Sequence, residues 1–398
     1  MFQSVVSAPP DPILGLTDAF KADPRADKIN LGVGVYQDEA GRTPVLPAVV
    51  EASRRVVERS DTKNYLPIPG DPAYGLAVQQ LAWGEGHEVV ESGRAATSHT
   101  PGGTGALRVV GDFLHQNLPS TTLWLTTPTW ANHPAIFAAA GVPTKTFPYF
   151  DPQANALDLP AMLAAIKKMP AGDAILLHGC CHNPTGIDPT ADQWKQIADA
   201  VYAAGVLPVL DFAYQGFGDG LSEDAAGLRE FTRPSAELVA CSSYSKNFGL
   251  YRERVGAATF VAGDAGRCAV VQSQVKRAIR ANYSNPPAFG AALVTTILGD
   301  PKLRKQWEGE LAEMRGRING MRKLLVDKLA EHRAPGDFGF IAHQRGMFSF
   351  SGLTEPQVAK LKSEHAIYMV GSGRMNVAGV TPANVDRLCA AVAQVLGA

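Results

Sequence analysis

Cysteine is scarce in this chain: there are five, an odd number, and two of them, Cys180 and Cys181, are adjacent. Neighbouring cysteines are poorly placed for an ordinary disulfide, so a disulfide framework is not expected and a reducing cytosol fits best. Excess charge is missing as well. With 37 Lys and Arg against 38 Asp and Glu, the formal net charge is -1, which supplies no field for a polyanion and argues against nucleic acid as a partner. No apolar run reaches membrane-spanning length, and the opening MFQSVVSAPPDP has neither the basic nor the apolar region of a secretory signal. The expectation is a soluble, unprocessed, cytoplasmic protein with no membrane partner. Internal repeats, low-complexity tracts and long charge blocks are also lacking, and the Gly and Pro residues are dispersed, marking turns rather than a linker.

What is present is length and alternation. At 398 residues the chain exceeds the size at which one hydrophobic core keeps growing, so a large domain with a smaller companion is expected. Between Gly102 and about Ala262, the short apolar runs TLWLTTP, AILLHGC, VLPVLDF and LVACSS alternate with helical patterns. That order builds an α/β fold with a mostly parallel sheet. One crossover reads in detail: Thr190 and Gln193 form a capping box, Trp194, Ile197, Ala198 and Val201 make one apolar stripe, and Gly205 stops the helix. From Asp300 the pattern changes. Asp300 caps, Pro301 suits the first helical position, and Trp307, Leu311, Met314, Ile318, Met321 and Leu325 follow one stripe of a long helix. MFSFSGL, a helix after Thr354, IYMVGSGRMNVAG and a final helix after Thr381 then make a smaller α+β block.

In an open parallel sheet, ligands bind beyond the carboxyl ends of the strands. The apolar runs lead there to Trp130 and His133, to CHNPTG with Asn183, to DFAYQGF with Asp211 and Tyr214, and to SYSKNFGLYRERVG. Each segment alone also suits an ordinary turn. The last one places Ser243, Ser245, Lys246 and Arg254 together: a lysine that forms a Schiff base when its pKa is lowered, with hydroxyls and a guanidinium suited to a phosphate. In HTPGGTGALR, Gly102, Gly103 and Thr104 open a helix whose free N–H groups offer a second phosphate element. This turn matches neither G-x-G-x-x-G nor the P-loop pattern, which argues against a dinucleotide or nucleoside triphosphate.

These segments, with DPILGLTDAF, INLGVGVY, TKNY, IRANYSNPP and SGRMNVAG, carry a resemblance over nearly the whole chain. The sequence is similar to the class I, fold type I, pyridoxal-phosphate aminotransferases, in particular the bacterial aspartate and aromatic amino acid enzymes. The resemblance implies an N-terminal arm over 1–13, a small domain from 14–45 and 314–398, and a large cofactor-binding domain over 46–313. It also implies a homodimer with shared active sites, whose arm embraces the partner through Phe2, Val5 and Val6 ahead of Pro9 and Pro10.

Roles follow from the matching positions. Lys246 resembles the lysine that holds pyridoxal 5′-phosphate and then carries a proton between Cα and C4′. Asp211 resembles the carboxylate that keeps the ring nitrogen protonated. Tyr214 and Asn183 match the pair on the phenolic oxygen, Trp130 the indole stacked on the ring, and His133 the residue that orients the aspartate. Ser243, Ser245, Arg254, Gly102, Gly103 and Thr104 match the phosphate cup, joined by Tyr65 from the neighbouring subunit. For substrate, Arg374 resembles the α-carboxylate fork, Arg280 the residue that reaches across the dimer to a side-chain carboxylate, and Gly34 a backbone contact, with Trp130 and Asn183 alongside. No metal is expected.

The implied reaction is transamination between amino acids and 2-oxo acids, from L-aspartate to 2-oxoglutarate. An aromatic aminotransferase is the near competitor, because Arg280 favours dicarboxylates without excluding phenylalanine or tyrosine. A lyase or decarboxylase on the same fold is a second alternative, since the cofactor site alone does not dictate which bond breaks. A non-catalytic ligand-binding module is a third, opposed by the presence of both Lys246 and Asp211.

Overall fold

The four apolar runs each form a strand in the computed structural model, which describes residues 2–7 and 14–397. They belong to a seven-stranded sheet of β1 (Ala95–Pro101), β2 (Leu123–Thr127), β3 (Thr144–Pro148), β4 (Ala174–His178), β5 (Leu207–Phe212), β6 (Leu238–Ser243) and β7 (Val255–Val261). Their order is β1-β7-β6-β5-β4-β2-β3. Strands β2 to β6 are mutually parallel, whereas β7 runs antiparallel between β6 and β1. All residues of β4, β6 and β7 are buried. Both faces of the central sheet are therefore covered, which is why these strands read as continuous apolar runs rather than alternating ones.

The sheet lies within one compact unit, Pro44–Gly316. The helix Gly102–Asn117 packs Leu107, Val110 and Phe113 on Leu125, Leu176, Val209, Val239 and Phe260, forming its core. The expected capping box is present: Thr190 accepts from the Gln193 N–H and starts the helix Ala191–Ala203, whose Trp194, Ile197, Ala198 and Val201 are buried. Asp300 Oδ1 accepts from the N–H of Lys302 and Leu303 at 2.8 and 3.1 Å, capping the helix Pro301–Glu331.

Met1–Thr43 and Arg317–Ala398 make a second compact unit. Its core collects Leu31, Leu325, Leu361, Ile367, Met375 and Leu388. Strand β8 (Phe348–Phe350) pairs antiparallel with β9 (Arg374–Asn376), and Ile29–Asn30 pairs parallel with Ile367–Tyr368. Thr354 and Gln357 form a capping box on Glu355–His365. Of the expected arm, Phe2, Val5 and Val6 are exposed, while Pro9 and Pro10 lie outside the described residues. Among the described residues, no helix is long and apolar enough to cross a membrane.

Trp307 ties the long helix to the segment that carries Lys246. Its buried indole stacks on Phe248, with ring centroids 4.2 Å apart, and its Nε1 donates to the Asn247 carbonyl at 2.7 Å. Trp307→Ala is expected to destabilise the protein by about 3–5 kcal/mol through the cavity it leaves. Trp307→Phe, which retains most of the packing but leaves the Asn247 carbonyl without that donor, is expected to cost about 1–3 kcal/mol. Guanidinium unfolding midpoints check both values; equal losses in the two variants would contradict the packing contribution, and no loss in Trp307→Phe would contradict the hydrogen-bond contribution.

Candidate active site

Because β2, β4, β5 and β6 are parallel, their carboxyl ends lie along one edge of the sheet. Asp211 sits one residue before the end of β5, in register with His178 of β4 and Cys241 of β6. Burial by itself pushes its carboxyl pKa up. The His133 hydrogen bond and the charges of His133 and Lys246 outweigh that penalty, and the net shift is downward. Asp211 is therefore a buried carboxylate held in its ionised form.

His133 supplies the direct contact, with Nε2 3.0 Å from Asp211 Oδ2. Its Nδ1 is 2.7 Å from Thr129 Oγ1, so the ring is fixed at both nitrogens. Trp130 meets the same imidazole edge-on, at 5.3 Å between centroids. Behind it, His178 and His182 extend an aromatic stack to Tyr149, whose ring lies 3.9 Å from His182 and nearly parallel to it. Burial pulls the His178 pKa down to about 3 and His182 well below its usual value, so these two rings are neutral. His182 is anchored at 3.2 Å to Thr126 and 2.8 Å to Thr185. Asp188 holds the following loop by accepting from the N–H groups of Cys181 and His182 at 2.6 and 2.8 Å. On that loop Asn183 is buried and the Asn183–Pro184 bond is cis, as is Thr127–Pro128.

Lys246 follows β6, and its Nζ lies 4.5 Å from the centroid of the Tyr214 ring. Burial pulls its pKa down to about 8, with Asp211 opposing the shift and Arg254 adding to it. The reversed direction of β7 then gathers an anion cup. Val255 pairs with Pro101 and Gly256 with Ser243, so the Gly102–Thr104 turn, Ser243, Ser245 and Arg254 converge. Ser243 Oγ donates to Ser245 Oγ at 3.3 Å, and Arg254 Nη1 donates to Ser245 Oγ at 3.4 Å. Gly102 adopts φ +76°, and a Cβ on Gly256 would collide with the Gly102–Gly103 peptide. Only glycine allows β7 to approach the start of the helix so closely.

The remaining expected residues lie elsewhere. Tyr65 and Arg280, both exposed, line a cavity of about 780 Å³ together with Lys63, Tyr283 and Asn285. Arg280 donates to Ser284. In the second unit, Arg374 is buried and its Nη2 donates to the Gly32 carbonyl at 2.8 Å, close to Gly34. Sequence reasoning did not single out His178, His182, Asp188 or Gly256, and it read Trp307 only as part of a helix stripe. The two histidines sat in plain view in HGCCHNPTG, but only the β4–β5 register places His178 opposite Asp211.

A sheet edge that unites a desolvated lysine, an ionised aspartate and a hydroxyl-lined anion cup is the architecture of a lysine-based enzyme. The chain belongs to the family described as aminotransferase class I and II, whose model matches residues 26–392. It is 53% identical over 396 residues to the aspartate aminotransferase of Salmonella typhi, covering 100% of both chains. It is 48% identical to the aromatic-amino-acid aminotransferase of Pseudomonas aeruginosa, over 99% of this chain and 98% of that one. Among solved structures, the aromatic-amino-acid aminotransferase of Burkholderia pseudomallei, covalently bound to pyridoxal phosphate, superposes with a TM-score of 0.97. That structure is 45% identical and the match covers 100% of this chain and 99% of that chain.

In the ligand-free protein, acylation of Lys246 is expected to follow a titration with a midpoint of about 8, below an ordinary lysine at roughly 10.4. Since Asp211 raises and Arg254 lowers this value, Asp211→Asn should move the midpoint further down and Arg254→Gln should move it up. Peptide-resolved labelling against pH measures all three.

Proposed function

We propose that the protein transfers amino groups between L-aspartate and 2-oxoglutarate with pyridoxal 5′-phosphate held on Lys246. The observation that carries this reading is full-length identity of 53% to an aspartate aminotransferase, on a chain that contains the Lys246–Asp211 pair. The donor set also fits the cofactor: two hydroxyls, a guanidinium and helix N-terminal N–H groups suit a phosphate dianion. The ionised Asp211 suits a protonated ring nitrogen. Bound there, the cofactor supplies an aldehyde carbon for attachment to Lys246 and a ring that withdraws electrons from the substrate Cα.

The chain's own residues divide the remaining work. Asp211, held by His133, would stabilise a protonated ring nitrogen of the bound cofactor, and Trp130 would offer it an aromatic face. Tyr214 and Asn183 would hold its phenolic oxygen. Lys246, whose neutral form is accessible near pH 8, takes and returns the proton at Cα. Arg374 forks the α-carboxylate, and Gly34 contacts it through the backbone. Ser243, Ser245, Arg254, Gly102, Gly103 and Thr104 hold the phosphate.

Tyr65 and Arg280 serve a second copy in this reading, Tyr65 at the phosphate and Arg280 at the substrate's side-chain carboxylate. The exposure of Tyr65 at 91% and the exposed apolar Phe2, Val5 and Val6 support a homodimer. The five buried cysteines, none of them in a disulfide, support a reducing, cytoplasmic setting. An aromatic aminotransferase is the second reading, favoured by the 48% identity to the Pseudomonas aeruginosa relative.

Adding aspartate without acceptor is expected to convert the absorbance of the bound aldehyde cofactor to that of its amine form, and 2-oxoglutarate should reverse it. No conversion would remove the transaminase reading in favour of a lyase. Arg280→Ala should lower kcat/KM for aspartate by about a hundredfold or more while changing phenylalanine turnover far less, because it removes one partner of a charge pair. Mixing inactive Lys246→Ala with Arg280→Ala and re-forming dimers should restore roughly a quarter of wild-type aspartate activity if sites are shared across a two-fold axis. An absence of recovery in verified mixed dimers would contradict the shared site.

A further inference from the structure

We infer that Phe348 is a positioning residue for carboxylate recognition, its ring setting the spacing between the Arg374 guanidinium and the loop that carries Gly34. The inference rests on the assignment of the α-carboxylate to Arg374. In the β8–β9 ladder, Phe348 lies opposite Asn376 and Phe350 opposite Arg374. Alternation therefore puts these four side chains on one face and sends Ser349 and Met375 to the other. Met375 joins the core of the unit. Phe348 and Arg374 become diagonal neighbours, within reach of a long side chain and an aromatic ring.

The guanidinium carbon of Arg374 lies 4.2 Å from the centroid of the Phe348 ring. Such stacking covers one face of the cation with an apolar surface and leaves its edge for a planar carboxylate. The same ring touches the loop: a Cβ on Gly34 would come within 3.1 Å of Phe348 Cζ. Arg374 Nη2 holds the Gly32 carbonyl at 2.8 Å, and Asn376 Nδ2 holds the carbonyls of Val33 and Val35 at 2.6 and 2.8 Å. Two polar residues of β9 thus pull the loop in, and the Phe348 ring limits how far it comes.

Phe348 is itself pinned. The buried Arg322 donates to the carbonyls of Gly346 and Phe348 at 2.7 and 3.0 Å and to Ser349 Oγ at 3.3 Å. This leaves the ring little freedom to follow a displaced guanidinium. A change at position 348 is therefore felt at both Arg374 and Gly34.

The test uses holoenzyme with succinate, a non-reacting dicarboxylate, as binding probe. Phe348→Leu removes the stacking face, and Phe348→Tyr keeps it but adds a hydroxyl where the Gly34 backbone lies. Both variants should weaken succinate binding and raise KM for aspartate and 2-oxoglutarate together by about five- to tenfold, with a much smaller change in kcat. The rate of reaction with a simple alkylamine that lacks carboxylates should stay close to wild type. Wild-type succinate affinity in Phe348→Leu or Phe348→Tyr, or losses shared equally by the alkylamine, would overturn the inference. Arg374→Leu separates the two levels: if it too binds succinate like wild type, the carboxylate assignment fails; if it alone loses binding, only the role of Phe348 fails.

Discussion

The site depends on one ionised carboxylate buried at the end of a sheet strand. Asp211 occupies β5 in the middle of the seven-stranded order, where both faces are covered and desolvation opposes its charge. Its ionisation is retained because His133 is locked between Asp211 and Thr129 and because Lys246 faces the same edge. The neighbouring His178 and His182 remain neutral through their own burial. A fixed negative charge is thus maintained in a desolvated sheet, and that preorganisation is what an electron-withdrawing ring with a protonated nitrogen requires.

The second constraint is topological. If β7 ran parallel to its neighbours, Arg254, which precedes it, would lie at the opposite edge from the Gly102–Thr104 turn and the serines. The antiparallel β7 lies between β1 and β6, so the Gly102 turn, the Ser243–Ser245 segment and Arg254 meet from three places in the chain. The close approach needs glycine at 256, because any side chain would strike the Gly102–Gly103 peptide. In the second unit a similar rule holds, since the β8–β9 register places Arg374, Asn376 and Phe348 on one face. The chemistry is assembled by pairing and register rather than by proximity in sequence.

The elements legible in the sequence are those whose signal is local. Apolar runs gave four strands of the large sheet, and the capping box at Thr190 and Gln193 and the cap at Asp300 mark helix starts where hydrogen bonding places them. Of the strands that escaped notice, β7 is a buried apolar run like the others, whereas β1 and β3 lack that signature. AATSHTP of β1 is mostly small and hydroxylated, and its fit comes from a partner: Thr97 and Thr259 face each other in register, with their hydroxyls 2.8 Å apart. TKTFP of β3 lies at the sheet edge with three exposed residues in succession. Neither pattern announces a strand until a neighbour is present.

By itself, the sequence determined the order of elements, the segments that end at the ligand edge and the residue types gathered there, Lys246 and Asp211 first among them. These are properties of local hydrophobic pattern, capping and motif, carried by a few consecutive residues. Only the tertiary structure decided which groups meet: His178 opposite Asp211, Trp307 beneath the Lys246 segment, Gly256 against the Gly102 turn and Phe348 beneath Arg374. Each of those contacts joins residues far apart in the chain, and each follows from strand register or helix docking. The desolvation that pulls Lys246 down to about 8 likewise exists only once the sheet edge is assembled.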